Sequence, residues 1–263
     1  MQANVIPRLE GGRRRSEGAR TERPLVTVVI VVRNAVDVIE NALASVYAQS
    51  KDLCELIVVD GVSTDGTLDV LKKYSEQIDY WISEPDGGIY DAMNKGIKQA
   101  NGKYLYFLGS DDVLTVDIRS LASVLTDPLT IYYGYVRTSM SSRADGPCSV
   151  WRIAVCTINH QSMFYPIAAF EDAAYSLKYK VLADWAFNLR CFGNKHLRFQ
   201  YIPYEIAYYS LSGMSSQVAD GEFLRDRLRL IRENLPIYVY WYASIRTRLK
   251  GLLKMLFGSD LRP

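Results

Sequence analysis

Cysteine is scarce: Cys54, Cys148, Cys156 and Cys191 are the four in 263 residues. They are scattered, show no metal-finger spacing and are too few to staple a chain of this size. A reducing, cytoplasmic setting is the expectation. Long apolar runs are also lacking. The longest, Leu25 to Val32 and Ile237 to Ile245, fall well short of the roughly 18 residues that a membrane span requires, so no transmembrane helix is expected. No signal-like apolar region follows the N-terminal arginines. Neither G-x-G-x-x-G after the first apolar run nor G-x-x-x-x-G-K-[ST] anywhere is present, which removes the glycine-cradle routes to dinucleotides and triphosphates.

What is present describes a folded protein. Apolar residues make up 49% and charged residues 23%, outside the range of disordered chains. The net charge of +2 says less than its distribution, because both ends are basic and the middle is acid-rich. Arg8, Arg13, Arg14, Arg15, Arg20 and Arg23 crowd the beginning. Residues 1–23 lack periodicity and read as a disordered basic leader.

From Pro24 the chain alternates. Leu25 to Val32 is a continuous β-branched run, the pattern of a strand covered on both faces. The spacing predicts a helix opened by Asn34 and carrying Ile39, Leu43, Val46 and Tyr47, then a strand at Glu55 to Val59. Helices at 67–74 and 89–100 alternate with strands at 80–83 and 104–108. Four strands alternating with three helices predict an α/β fold, an open, mostly parallel sheet with helices on both faces. Beyond Asp112 the expectations are a helix near 116–125, a strand at 131–136, a flexible loop around 139–147, strands near 150–156 and 161–165, and a helix from about 182 to 191.

Open α/β sheets bind ligands at the carboxyl ends of their strands. Here those ends read Val32-Arg33-Asn34, Asp60-Gly61, Glu84-Pro85-Asp86-Gly87-Gly88 and Gly109-Ser110-Asp111-Asp112. Any one of these Asp and Gly residues could be a turn or a cap; four successive ends favour a site. Clustered carboxylates repel bare phosphate, but suit a hard divalent ion (Mn or Mg) that bridges protein and phosphate oxygens. The expected ligand is therefore a nucleotide diphosphate held through a metal.

These residues carry a resemblance: Pro24 to Leu114 resembles the catalytic core of glycosyltransferase family 2. The resemblance implies a GT-A, Rossmann-like sheet and an inverting transfer from a UDP-, GDP- or dTDP-linked sugar. Val58 to Thr67 (VVDGVSTDGT) is similar to a family segment whose first Asp contacts the base, a role that falls on Asp60. Ser83 to Ile97 (SEPDGGIYDAMNKGI) resembles bacterial transferases of O-antigen and exopolysaccharide assembly, and implies that Asp86, Gly87, Tyr90, Asp91, Asn94 and Lys95 border the donor. Ser110-Asp111-Asp112 corresponds to the metal motif, with Asp111 as ligand, Asp112 behind it and Gly109 where the first Asp of the triplet would stand. Asn159-His160-Gln161-Ser162 is similar to an acceptor-side segment. Ala183-Asp184-Trp185 matches the segment bearing the catalytic base. By this likeness residues 24–220 form the transferase domain, 24–114 being its donor half and 115–220 its acceptor half. The acceptor is expected to be a saccharide or lipid-linked saccharide in surface polysaccharide assembly.

Two roles stay open on the residues alone. Asp184 could cap a helix instead of taking a proton, and His160 could be a structural hydrogen-bonder. A scaffold that keeps the fold without activity, or a sugar nucleotidyltransferase, are the rival functions, although the Lys-bearing Gly-rich loop of the latter is missing. Residues 221–263 form a C-terminal amphipathic region. In it Trp241, Ile245, Leu249, Leu252 and Leu256 share a helical face, with Arg246, Lys250 and Lys254 largely across from it. That pattern suits an anionic membrane surface at 237–257, hence peripheral attachment at the inner face of the plasma membrane. Packing on the core, or a homodimer through the same face, is the alternative. No nucleic-acid-binding motif accompanies the charges.

Overall fold

Residues 8–16 of the arginine-rich beginning are ordered. In the computed structural model, which describes residues 8–16, 18, 22–50, 52–140, 146–210 and 220–257, strand β1 (Leu9–Gly11) runs antiparallel to β4 (Tyr80–Ser83). The short helix α1 (Arg13–Ser16) follows. The expected disorder of 1–23 is thus corrected over 8–16, and the cause is charge pairing. Arg13 Nη2 donates to Asp79 Oδ1 at 2.8 Å, and Arg14 pairs with the fully buried Glu55. Burial raises the pKa of Glu55, but hydrogen bonds from Thr27 and the Asn101 amide, together with Arg14, outweigh it and hold the carboxyl below its usual range. Residues 1–7, 17 and 19–21 lie outside the described set.

The β-branched run becomes β2 (Val26–Val32), with every residue except Val31 buried. It lies between β3 (Cys54–Asp60) and β5 (Tyr104–Gly109), parallel to both, and β4 continues the parallel set beside β3. Alternation along β2 feeds two cores. Val28 and Ile30 pack with Ile39, Leu43 and Val46 of α2 (Ile39–Tyr47) and Leu71 of α3 (Thr67–Lys73). Val29 faces the other side, with Tyr90 and Met93 of α4 (Ile89–Gln99). Helices therefore cover both faces, as expected.

Past β5 the sheet becomes mixed. Among the described residues nine strands run in the order β1-β4-β3-β2-β5-β8-β7-β9-β6, where β6 is Val113–Leu114, β7 Thr130–Arg137, β8 Met163–Pro166 and β9 Arg198–Tyr208. The eleven-residue β9, which the sequence pattern did not suggest, joins parallel to β7. Several expectations change here. Asn34 opens no helix: its φ is +54° and α2 starts five residues later. The helix near 116–125 reduces to a 3-10 turn, Ile118–Leu121. Residues 150–156 begin with the short helix α5 (Val150–Ile153), not a strand, capped by Ser149. Residues 160–162 form a 3-10 turn before β8. The loop around 139–147 lies partly outside the described residues.

The helix expected at 182–191 is α6 (Ala183–Gly193). The chain continues in α7 (Gly221–Asn234), turns at Pro236 and runs on in α8 (Ile237–Phe257). Among the described residues no helix is long and apolar enough to cross a membrane.

Candidate active site

The ends of β2, β3, β4 and β5 form one rim, and their side chains are tied to each other. Gly61 N–H donates to the Val32 carbonyl at 2.9 Å. Asn34 holds the next turn with both of its groups: its N–H donates to Ser63 Oγ and its side-chain oxygen accepts from Thr64 N–H, both at 2.8 Å. Asn tolerates the left-handed conformation this requires. Val62 does so less readily, and its φ is +59°. Arg33 is exposed, and its aliphatic stem approaches Gly61.

Asp60 is fully buried. It accepts from Ser63 N–H and Oγ and, at 2.6 Å, from Ser83 Oγ, so it holds the turn after its own strand as well as facing the rim. Asp86 folds over Gly61 so closely that a Cβ there would strike its carboxylate. Its Oδ1 also accepts from Gly88 N–H at 2.9 Å, and Asp91 accepts from Gly87 N–H at 2.9 Å. Lys95 is already engaged, with its ammonium 2.6 Å from the Pro85 carbonyl and 3.0 Å from Glu84. Asn94 clips the Tyr175 backbone, donating to its carbonyl and accepting from its N–H at 2.9 Å each. Lys95 and Asn94, expected to border a donor, thus shape the rim and the segment next to it.

At the end of β5, the carboxylates of Asp111 and Asp112 both reach over Gly109, where a Cβ would collide with Asp112. Gly at this position is therefore the residue that leaves room for Asp112. Asp112 is fully buried, accepting from Gln161 Nε2 at 3.0 Å and from Ser210 N–H at 2.8 Å. Burial pushes its pKa up and the neighbouring Asp111 adds to this, against the hydrogen bonds and His160, which pull it down. Ser110 is half-buried between the strand and this pair.

Gln161 leads to the second part of the site. Its neighbour His160 places Nδ1 3.0 Å from Asp184 Oδ2. Asp184 Oδ1 accepts from Tyr90 O–H at 3.1 Å and from Trp185 N–H at 2.7 Å. Burial and then the Asp184 charge push the Tyr90 phenol far above its usual range, so it keeps its one proton, which lies between the Val181 carbonyl at 2.6 Å and Asp184. Asp184 does not cap α6: that position is Leu182, without a side-chain bond. The segment before it is held by Asp220, which accepts from Val181 and Leu182 N–H at 2.9 and 3.1 Å. Sequence reasoning missed Asp220 and Ser210. Asp220 had a visible signal, because its other oxygen caps α7 at Phe223 N–H; a backbone N–H such as that of Ser210 leaves none.

The acidic residues at the end of β5 are the groups that could hold a metal. Among the described residues no three His, Cys, Asp or Glu groups converge on one point. A donor set of one or two carboxylates suits a Mg-like ion, whose other ligands are substrate phosphate oxygens and water. Asp111, half-buried with Asp112 directly behind it, is such a set.

The comparisons bear on family and fold. The family model "Glycosyl transferase family 2" matches residues 27–185, which span every element of the rim and end just past Asp184. The "PGL/p-HBAD biosynthesis glycosyltransferase" of Mycobacterium bovis (strain BCG / Pasteur 1173P2) is 35% identical over 214 residues, covering 77% of this chain and 83% of that protein. The "Putative teichuronic acid biosynthesis glycosyltransferase TuaG" of Bacillus subtilis (strain 168) is 43% identical over 93 residues, 34% of this chain and 37% of that protein. In fold the chain is similar to S. aureus TarS 1-349 in complex with UDP-GlcNAc (TM-score 0.62, 21% identity, 79% of this chain, 64% of that one). It is also similar to the mannosyltransferase PcManGT from Pyrobaculum calidifontis in complex with GDP-Man and Mn2+ (TM-score 0.58, 16% identity, 86% and 65%). The chain spans 39% of the longer TarS structure. With most of its length matched by the family model and a relative at this identity over three quarters of it, the chain belongs to glycosyl transferase family 2.

Proposed function

We propose that this glycosyltransferase moves a sugar from a nucleotide-diphosphate donor to a hydroxyl of a saccharide or lipid-linked saccharide, in one displacement that inverts the anomeric carbon. The observation that carries this reading is that the strand-end carboxylates and the His160–Asp184 pair form one connected site, joined through Gln161 and Asp112. The names of the relatives, in PGL/p-HBAD and teichuronic acid biosynthesis, favour surface glycans as the acceptor class.

Asp60 and the turn from Val32 to Asn34 would receive the nucleoside, and Asp86, Gly87 and Asp91 the sugar side of the donor. Asp111 would hold a divalent cation, Mn or Mg, whose contribution when bound is to neutralise charge on the departing diphosphate. The attacking hydroxyl loses its proton to Asp184. Tyr90 and His160 fix the orientation of that carboxylate, and general-base catalysis of this kind contributes about 10²–10⁴-fold.

A specific observation favours a second assignment of the proton. Asp184 is only 6% exposed and accepts from Trp185 N–H, from His160 if Nδ1 carries its hydrogen, and from a Tyr90 proton shared with the Val181 carbonyl, which leaves Nε2 of His160 as the lone pair with no partner among the described residues. In that case the imidazole is the base and Asp184 orients it. Substitution separates the two: if the imidazole is the base, His160→Ala should lower kcat as far as Asp184→Asn does, and if the carboxylate is the base it should cost far less.

The reading is tested by thermal shift of wild type and Asp111→Asn with UDP, GDP and dTDP, each with and without Mn. A metal-dependent rise with one nucleotide in wild type, absent in the variant, is expected. An unchanged donor affinity and turnover in Asp111→Asn would overturn it. Donor hydrolysis then separates the rivals, since a transferase releases nucleotide diphosphate, a nucleotidyltransferase pyrophosphate and a scaffold neither.

A further inference from the structure

Helices α7 and α8 border an open basic cavity away from the catalytic rim. Arg227, Arg246, Thr247 and Lys250 line it together with Val155, around a space of about 90 Å³, room for a phosphate-sized anion. Arg227 is half-buried, with its guanidinium 5.9 Å from the centre of the Trp185 ring, and Nη2 donates to Thr247 Oγ1 at 2.7 Å. That hydroxyl in turn donates to the Ala243 carbonyl at 2.7 Å. Neighbouring cations on α7 are spent on carboxylates: Arg225 on Glu222, and Arg229 on Asp226 and Glu233. Among the described residues no acidic group pairs with Arg227, Arg246 or Lys250. Burial and then the charge of Arg246 both lower the pKa of Arg227, as expected where cations are gathered without a counter-ion.

Beside this cavity α8 leaves its apolar stripe uncovered. Trp241, Ile245, Leu249 and Leu252 are 57, 55, 53 and 53% exposed, while Val239 and Ala243 on the opposite side are buried in the core. Packing on the core is therefore confined to the first half of α8 and does not use the stripe. The exposed aromatic group Trp151, Tyr238 and Tyr242 extends it, with ring centres 5.2 to 5.3 Å apart. The side chains of Lys254 and Leu256 lie outside the described set. Arg246 and Lys250 follow Ile245 and Leu249 by one residue each, which turns them about 100° off the stripe, towards α7. If the stripe enters the acyl boundary, these cations stand at headgroup level.

We propose that the α7–α8 cavity is a binding site for the phosphate of an anionic phospholipid headgroup, and that the α8 stripe inserts beside it to hold the protein on a bilayer surface. The charge complementarity of an uncompensated three-cation cavity adjoining an apolar face selects this occupant. The proposal does not depend on the proton acceptor or the metal.

The test is co-sedimentation of the full chain with phosphatidylcholine vesicles, with and without 30 mol% phosphatidylglycerol. Sedimentation only with the anionic vesicles is expected. Arg246→Gln with Lys250→Gln should reduce it, at roughly 5-fold per cation, by about 25-fold, and Ile245→Ser with Leu249→Ser should abolish it. These positions are exposed, so folding is checked by unchanged melting temperature and donor hydrolysis in solution. Equal pelleting with neutral vesicles, or undiminished binding by the Gln variant, would overturn the headgroup site. No pelleting at all, or a dimer in solution that the Ser variant dissociates, would overturn the membrane assignment. Inorganic phosphate that raises the melting temperature of wild type in the absence of vesicle binding would mark the cavity as a free-anion site and overturn it as well.

Discussion

Replacing Arg14 with Ala should measure how much the basic N-terminal segment contributes to the fold. In the wild type Arg14 pairs with Glu55, donates to the Gln99 carbonyl at 2.7 Å, and stands 5.8 Å from the centre of the Tyr80 ring. Removing one partner of a buried pair costs about 3–5 kcal/mol, because it leaves the other charge uncompensated. Glu55 would keep its hydrogen bonds from Thr27 Oγ1 at 2.6 Å and from Asn101 N and Nδ2 at 2.9 and 3.1 Å, and the Arg14 side chain is itself 16% exposed. The lower end, about 3 kcal/mol, is therefore expected. With a urea m-value of about 3 kcal/mol/M, the unfolding midpoint should fall by about 1 M at pH 7. The pH dependence supplies a second check. The pKa of Glu55 is lowered in the folded state, so its stabilising contribution is present above the unfolded value near 4.5 and is lost as the pH falls through the folded value. In the variant this depression is reduced, so the gap between the two proteins should be widest at neutral pH and should narrow below about pH 4.5. A variant that unfolds with wild type at pH 7, or a gap that ignores pH, would refute the pairing as the source of stability.

Other outcomes follow from single residues. Asp184→Asn should lower kcat by about 10²–10⁴-fold while nucleotide affinity by calorimetry stays the same; weaker donor binding would move Asp184 to the donor side. Gly109→Ala places a methyl against the Asp112 carboxylate, which Gln161 and Ser210 hold in place. Overpacking of about 1–3 kcal/mol should lower the melting temperature by about 5 °C, and an unchanged value would mean that Asp112 moves freely. Val62→Gly removes a β-branched residue from positive φ. The left-handed conformation costs about 1–2 kcal/mol, and the added glycine entropy about 0.5–1 kcal/mol offsets part of that. A melting temperature about 2 °C higher is expected; a decrease would show that Val62 packing outweighs the strain.

The part of the sheet from β2 to β5 was readable because its signals are local. The β-branched run of β2, the helical spacing of Ile39, Leu43 and Val46, and the Asp and Gly residues after each strand all lie within a few residues of what they determine, since side-chain periodicity of a strand or helix depends only on near neighbours. The matching family segments, from Val58 to Thr67 and from Ser83 to Ile97, occupy the same stretch. The part after β5 was harder. Val150–Ile153 has the composition of a strand, but Ser149 caps it into a helix, and β9 contains Pro203 and three tyrosines at irregular spacing that suggest no strand period.

From residue order alone came the parallel sheet and the acidic residues at its strand ends, while His160 and Asp184 were singled out only by the family resemblance. Only the folded chain decided that Arg14 reaches Glu55, that Asp112 is held by Gln161 and Ser210, and that Asp184 stands between His160 and Tyr90. Each of these contacts joins residues 24 to 98 positions apart. Their partners are chosen by how layers pack and by which buried charge would otherwise remain unpaired, and neither is encoded in the spacing of nearby side chains.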